Sequence, residues 1–93
     1  MRIETGINPN CSEGIVRFRT DKLTTEQEEE LLNALKSFVE EYNYETSVYK
    51  AKIFGIKCIT VDGDAPYNDH DNLIKVAEKF DFMDKVKIEE EER

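Results

Sequence analysis

The residues best suited to chemistry lie in one short loop, at positions 62–72, which holds four aspartates, two asparagines and the single histidine. Hard divalent cations such as Ca²⁺ and Mg²⁺ are bound by several oxygen ligands, often from a flexible loop. The spacing of Asp62, Asp64 and Asp69 therefore predicts, as one interpretation, a Ca²⁺ or Mg²⁺ site. The other interpretation is a polar turn that ends a strand at Asp62 and begins a helix at Asn68 or Asp69.

Nucleophilic catalysis has little support in the sequence. Cys11 or Cys58 could pair with His70 by residue type, but nothing in the spacing brings a thiol and the imidazole together. The sequence contains no glycine-rich phosphate loop and no nucleophile elbow. Two cysteines are also too few for a disulfide scaffold or a zinc site. We therefore expect a protein that is not an enzyme.

The charges of the chain are unevenly distributed. Acids outnumber lysine and arginine by 21 to 13, which gives a net charge of -8. The predicted strands nevertheless contain one acid, Asp84, and many cations. These cations are Arg17, Arg19, Lys50, Lys52, Lys57, Lys85 and Lys87. Such a polarised molecule is expected to bind a partner by charge complementarity, with Arg17, Arg19, Lys50 and Lys52 on the basic part of the binding surface.

The acidic part of the molecule is predicted to be the first helix. Glu28, Glu29, Glu40 and Glu41 are expected on its outer face, where carboxylates could replace nucleic-acid phosphates against a partner's arginines and lysines. Acids in the first turns also suit the helix dipole, and a solvated acidic helix is common. The sharpest form of the functional hypothesis is therefore an inhibitor of a nucleic-acid-handling protein that acts by nucleic-acid mimicry.

The first half of the chain reads as two strands and a helix. Arg2–Ile7 and Ile15–Arg19 alternate between apolar and polar residues and are separated by a stretch rich in turn formers. Thr24 and Thr25 each fit a capping box with the glutamine or glutamate three residues later, so either could begin the helix. Leucines and aromatics then recur at helical spacing up to Asn43, a plausible helix end.

The second half repeats this order with two strands before the helix. Ser47–Phe54 alternates, and Ile56–Val61 is apolar on both faces, which is typical of a central strand. A second helix is expected to begin at Asn68 or Asp69. A final strand is expected over Asp84–Ile88.

These elements predict a single α+β domain over residues 1–93. Their order from Gly14 onward is that of a two-layer sandwich on the ferredoxin-like βαββαβ plan, with an additional N-terminal strand. The sheet is expected to be antiparallel with two helices on one face. The acidic tail at 89–93 is expected to fray.

Alternation within the strands predicts which side chains face the helices. Those expected on the helix side are Val16, Phe18, Tyr49, Ala51, Ile53, Ile56, Cys58, Val86 and Ile88. Those expected on the open side are the basic residues together with Ile15, Val48, Ile59 and Val61. Phe18 and Tyr49 are expected to point inward, and only Phe54 outward. With so few stacking platforms and a strongly acidic chain, direct nucleic-acid binding is not expected.

The sequence thus predicts a small acidic protein-interaction domain that binds a macromolecular partner by charge complementarity. One alternative is a Ca²⁺- or Mg²⁺-binding protein that uses the aspartate-rich loop, with no other cofactor. A second alternative is a ferredoxin-like subunit that self-associates through its open sheet face. No apolar run is long enough to cross a bilayer, so we expect a cytoplasmic protein without a membrane partner.

Overall fold

The structure, a computed structural model, describes residues 13–92. The predicted strand Arg2–Ile7 and the thiol of Cys11 lie outside the described residues. Four strands and three α-helices are found within them. These are β1 (Gly14–Arg19), α1 (Thr25–Glu41), β2 (Thr46–Ile53), β3 (Ile56–Gly63), α2 (Ala65–Asn68), α3 (His70–Glu78) and β4 (Lys87–Glu92).

Helix α1 begins where the sequence indicated. Thr24 is the N-cap, and its side chain accepts a hydrogen bond from the Gln27 amide at 3.1 Å while the Gln27 side chain accepts one from the Thr24 amide at 3.0 Å. This reciprocal capping box satisfies two backbone donors that a helix start otherwise leaves without partners. The helix ends at Glu41, and Asn43 follows in the left-handed conformation with φ 56°.

The four strands form an antiparallel sheet in the order β2-β3-β1-β4. Because β1 and β2 are both antiparallel to β3, they are parallel to each other with β3 between them. The same reasoning makes β3 and β4 parallel, with β1 between them. Each helical connection therefore joins two parallel strands across an intervening strand, as in a split βαβ unit.

One hydrophobic core lies between the sheet and the helices, within the described residues. Val16 and Phe18 of β1 are directly opposite Val61 and Ile59 of β3, and all four side chains are buried. The helices cover them with leucines and aromatics. These residues include Leu31, Leu32, Leu35, Phe38, Val39, Leu73 and Ala77.

The prediction of which residues of β2 and β3 point toward the helices is wrong. Directly opposite residues share a face, so the pairing of Val48 with Val61 and of Lys50 with Ile59 puts the even-numbered residues of β2 on the helix side. The open face, defined as the sheet face away from the helices, therefore carries other side chains than expected. In β2 and β3 these are Ser47, Tyr49, Ala51, Ile53, Ile56, Cys58, Thr60 and Asp62.

The physical reason is that both faces of β2 and β3 are partly apolar. Tyr49, Ala51 and Ile53 outnumber Val48 on their side, so counting apolar residues favoured the wrong face. The register with β1 determines which face of β3 is buried, because Phe18 must share its face with a residue as apolar as Ile59.

The last strand extends beyond the predicted Ile88 into the acidic tail, up to Glu92. Glu89 is directly opposite Arg17 of β1, and Glu91 is directly opposite Ile15. The predicted strand Asp84–Ile88 also begins too early, because Met83–Lys85 is a 3-10 turn. Opposite charge across the strands supports the pairing, since Arg17 Nη1 donates to Glu91 Oε1 at 3.1 Å.

Candidate functional site

The residue at the tip of the β2–β3 hairpin is of a type that rarely adopts the backbone conformation found there. Phe54 and Gly55 form a two-residue loop between Ile53 and Ile56, with φ angles of 52° and 79°. Positive φ at both residues is the geometry of a type I′ turn, whose twist matches that of the flanking strands. Asn and Gly are favoured in such turns because most side chains are strained at positive φ. Phe54 occupies the first position all the same, and it is 98% exposed.

An apolar patch continues from the tip onto the open face. Tyr49 is 44% exposed and Ile53 is 39% exposed. A cavity of about 220 Å³ lies beside Ile53. Its lining combines apolar side chains, two guanidinium groups and a thiol. The lining residues are Arg17, Arg19, Ile53, Phe54, Ile56, Cys58 and Glu89.

Cations gather at the same end of the sheet. Lys52 is directly opposite Lys57, and Arg19 is directly opposite Lys87. Like charges in directly opposite positions destabilise a sheet. Glu28 lies near Lys57 and Asp21 pairs with Arg19, so one cation of each pair has a carboxylate partner within the protein. We use the name hairpin end for the surface formed by the tip and its neighbouring cations. It consists of Phe54, Arg19, Lys50, Lys52, Lys57 and Lys87.

The two arginines of the open face each donate to a carboxylate of the protein. Arg17 Nη1 donates to Glu91, and Arg19 Nη2 donates to Asp21 Oδ2 at 3.3 Å. The Nε atoms of both arginines are buried and have no hydrogen-bond partner among the described residues. A carboxylate that approached the cavity would find these guanidinium groups already positioned.

Charge is therefore separated along the strands. The end of the sheet opposite the hairpin carries Asp62 on β3, Glu91 on β4 and Asp64 directly after β3. Of the expected basic face, Arg17 and Arg19 lie on the open face as predicted. Lys50 and Lys52 lie on the helix side, contrary to the prediction.

Glu28 belongs to an ion-pair network inside the fold. It is only 5% exposed, and its carboxylate lies 3.9 Å from Lys50 Nζ and 3.8 Å from Lys57 Nζ. Glu29 also pairs with Lys50, and this hydrogen bond raises the pKa of the Lys50 ammonium group. The predicted placement of Glu28 on the outer face of the helix is therefore wrong, because the β2–β3 hairpin covers it.

The buried hydroxyl of Thr20 is the closest partner of Glu28. Its Oγ1 donates to Glu28 Oε2 at 2.5 Å, and Thr20 has no exposed surface. We expect Thr20→Val to lower the free energy of unfolding by about 1 to 3 kcal/mol, because the shape is kept while a buried carboxylate loses a donor. Chemical denaturation measures this loss. Thr20→Ser retains the hydroxyl and should recover most of the loss, whereas equal destabilisation by both variants would contradict this role.

Glu40 and Glu41 lie far from Glu28 on the same helix. Both are exposed near the C-terminal end of α1. Twelve residues separate Glu28 from Glu40, which corresponds to about 18 Å along the helix axis. The four predicted acids therefore do not form one continuous acidic surface.

The aspartates of the predicted cation loop bind protein groups. Asp64 Oδ1 accepts a hydrogen bond from Thr46 Oγ1 at 2.7 Å, and Asp69 Oδ2 accepts one from the Tyr44 hydroxyl at 2.8 Å. Asp62 lies on the open face, opposite Ile15. In residues 13–92, no group of three or more histidine, cysteine or acidic side chains is placed to hold a metal ion.

Asp69 instead affects the ionisation of Tyr44. The hydrogen bond to Asp69 raises the pKa of the Tyr44 hydroxyl, and burial and the Asp69 charge act in the same direction. The contribution of this bond to stability is therefore complete below the ordinary tyrosine pKa of about 10 and is lost as the pH rises through the raised value.

We expect Asp69→Asn to shift one tyrosine ionisation step to lower pH. Ultraviolet titration of the phenolate measures this, and Tyr44→Phe, which should remove the step, assigns it. Asp71→Asn removes an adjacent charge that is not bonded to Tyr44 and serves as the control. An unchanged titration in Asp69→Asn would contradict the assignment.

The structure places the histidine and the described cysteine in different cavities. His70 contacts Glu90 and lines a cavity near Gly14, at the end of the sheet opposite the hairpin. Cys58 is a buried free cysteine on the open face, 3.7 Å from Thr60 Oγ1. The thiol–imidazole pair that residue types alone would allow is therefore not assembled with Cys58.

No protein-family model matches this chain, and no curated protein shows significant sequence similarity to it.

Within residues 13–92, no helix combines the length and apolar character needed to cross a membrane.

Sequence reasoning missed Phe54, Lys57 and Lys87 as site residues. A signal for the tip was present, because two alternating runs separated by the pair Phe54-Gly55 indicate a two-residue hairpin. The like-charge pairs could not be recognised without the register that joins Lys52 to Lys57 and Arg19 to Lys87.

Proposed function

We propose that the chain is a small protein-interaction domain whose hairpin end binds an acidic protein surface by charge complementarity. The observation that carries the proposal is Phe54, which is 98% exposed at a positive φ. An aromatic side chain at this turn position strains the backbone and gains no burial within the described fold. Strain of this kind is retained at sites where it serves contact with another molecule.

The cations of the hairpin end define the partner's charge. In the opposed pairs Lys52–Lys57 and Arg19–Lys87, Lys57 lies near Glu28 and Arg19 pairs with Asp21, whereas Lys52 and Lys87 make no ion pair within the described residues. Carboxylates on a partner would be attracted to these two lysines. The apolar patch around Tyr49 and Ile53 adds desolvated contact area beside the charges. Aromatic and arginine side chains together are typical of the energetic centre of protein interfaces.

A protein partner fits the electrostatics better than a nucleic acid does. The chain has a net charge of -8, and carboxylates of Asp21, Glu29 and Glu89 lie close to the cations. A long polyanion would meet these acids as well as the cations, whereas a protein surface can present its carboxylates locally. Of the acids assigned to nucleic-acid mimicry, Glu40 and Glu41 are exposed near the end of α1. No further observation favours that hypothesis.

We also propose the ferredoxin-like plan as the finer description of the fold. The support is the pair of interlocked split βαβ units, β1-α1-β2 and β3-α3-β4, with α2 as a short extension before α3. This plan leaves the sheet face away from the helices uncovered within residues 13–92. It thereby makes that face and the hairpin tip available for recognition, although fold by itself assigns no function.

Affinity capture with a salt gradient tests the proposed function. Tagged protein is incubated with host lysate, eluted with increasing salt, and the eluted proteins are identified by mass spectrometry. The double reversal Lys52→Glu with Lys87→Glu should abolish capture of the salt-released protein, because it removes one cation from each opposed pair. The control, Lys75→Glu with Lys79→Glu, changes the charge equally at exposed positions at the α3 end. A localised basic site would be contradicted if both double variants lost capture equally, or if neither lost it.

A further inference from the structure

We infer that the partner binds as an added β-strand along β2, and that the added strand alternates acidic and apolar residues. This inference rests on the proposed function, because it specifies how the hairpin end would engage a protein. Within residues 13–92, β2 pairs only with β3 and forms one edge of the sheet. Edge strands carry a row of available backbone donors and acceptors, to which an extended segment can pair.

The hairpin turn determines which backbone groups face outward. A β-turn is closed by a hydrogen bond between its first and last residues, here Ile53 and Ile56. Hydrogen-bonded and non-hydrogen-bonded pairs alternate along antiparallel strands, so Ala51 and Tyr49 also bond to β3. The N–H and C=O groups of Val48, Lys50 and Lys52 therefore face the edge.

The two faces of β2 specify the side chains of the added strand. Residues of the added strand opposite Lys50 and Lys52 would lie on the helix side. Of these, an acid opposite Lys52 would contribute most to binding through its ion pair. Lys50 already pairs with Glu28 and Glu29, whereas Lys52 is exposed and makes no ion pair within the described residues. The intervening residues would lie on the open face beside Tyr49, Ala51 and Ile53, where apolar side chains pack.

The cavity of about 220 Å³ supports this assignment of faces. It opens on the same face as Ile53 and is bordered by Arg17 and Arg19. An apolar side chain of the segment that follows the added strand past Phe54 can enter the cavity near the two guanidinium groups. The edge and the tip then form one continuous binding surface.

The probe for this mode is a capped octapeptide of alternating glutamate and valine. Binding to the full chain is followed by titration with ¹⁵N-resolved amide spectra. We expect the amide protons of Val48, Lys50 and Lys52 to shift strongly, and those of Tyr49 and Ala51 to shift less. A peptide of the same composition with its glutamates and valines in two blocks should bind at least tenfold more weakly.

Two variants of Lys52 separate charge from backbone pairing. Lys52→Ala removes the ammonium group and should weaken peptide binding roughly two- to fivefold, as expected for one exposed charge pair. Lys52→Pro also removes an edge-facing N–H without breaking a bond to β3, a position where edge strands accept proline. It should cause a further loss of roughly fivefold, typical of one neutral hydrogen bond.

A peptide N-methylated at alternate residues makes the test independent of how Lys52→Pro folds. Methylation of the amides that face β2 should abolish binding, while methylation of the other set should leave most of it. Any of three results would overturn strand addition. The first is equal binding by the alternating and blocked peptides, and the second is equal affinity of Lys52→Ala and a folded Lys52→Pro. The third is no binding of the probe. If capture from lysate still requires Lys52 and Lys87 in that event, the proposed function stands and only the binding mode fails.

Discussion

Replacing Gly63 with alanine is expected to destabilise the protein by about 3 to 5 kcal/mol, the largest stability effect we predict for one residue. Gly63 ends β3 with φ 151°, a conformation that side chains rarely adopt. A Cβ there would lie 2.7 Å from the Thr46 Cα and would also overlap the Glu45 carbonyl oxygen. Backbone strain and overpacking each contribute about 1 to 3 kcal/mol. Chemical denaturation at neutral pH measures the sum.

Gly55→Ala is the matched control for Gly63→Ala. Gly55 also has positive φ, at 79°, but a Cβ there meets nothing within 4 Å. Only the backbone cost then remains, about 1 to 2 kcal/mol. If both alanine variants were destabilised equally, the packing of β3 against Glu45 and Thr46 would not be the cause, and the account of this strand end would be wrong.

Phe54→Asn is expected to make the fold more stable while removing the binding surface. Asparagine is favoured at positive φ in a type I′ turn, and the Phe54 ring is too exposed to lose burial. We expect a gain of about 1 kcal/mol, which raises the Tm of a domain this small by roughly 4 to 8 °C. Thermal unfolding followed by circular dichroism measures the change.

Phe54→Ala separates the two effects of that substitution. Alanine removes the ring but retains the strain of a Cβ at positive φ, so its Tm should stay close to that of the parent protein. A lower Tm in Phe54→Asn would mean that the ring stabilises the fold. The interpretation of Phe54 as a binding residue would then lose its physical basis.

The order of the four strands, α1 and α3 could be predicted because local signals mark them, whereas α2 was expected to be a polar turn. The helix start is encoded at Thr24 and Gln27, and the hairpin by alternation on both sides of Gly55. These signals depend on neighbouring residues alone. They do not require knowledge of the rest of the chain.

The faces of β2 and β3 could not be predicted because they depend on distant pairing. The alternating apolar pattern of a buried strand face is also present in Tyr49, Ala51 and Ile53. Their exposure follows from the register that places Val48 beside Val61, which only the three-dimensional fold determines. The extension of β4 to Glu92 has the same origin, since Glu89 and Glu91 gain their partners only across the strands from Arg17.

The candidate site was recognisable in part. The basic residues of the predicted strands indicated a charged surface, and Arg17 and Arg19 do lie on the open face. The sequence could not reveal that Glu28 is buried against Lys50 and Lys57, because a helix with acids on several sides does not indicate which side packs. Asp64 and Asp69 were ambiguous for a similar reason, since aspartate binds hydroxyl donors as readily as cations.

The most direct test of the hairpin end as a binding surface is affinity capture from host lysate with Phe54→Asn. Tyr67→Asn is the control, because Tyr67 is an exposed aromatic near the opposite end of the sheet. We predict that the parent protein and Tyr67→Asn capture the same salt-released protein, and that Phe54→Asn loses it at an unchanged or higher Tm. Undiminished capture by a folded Phe54→Asn would contradict it.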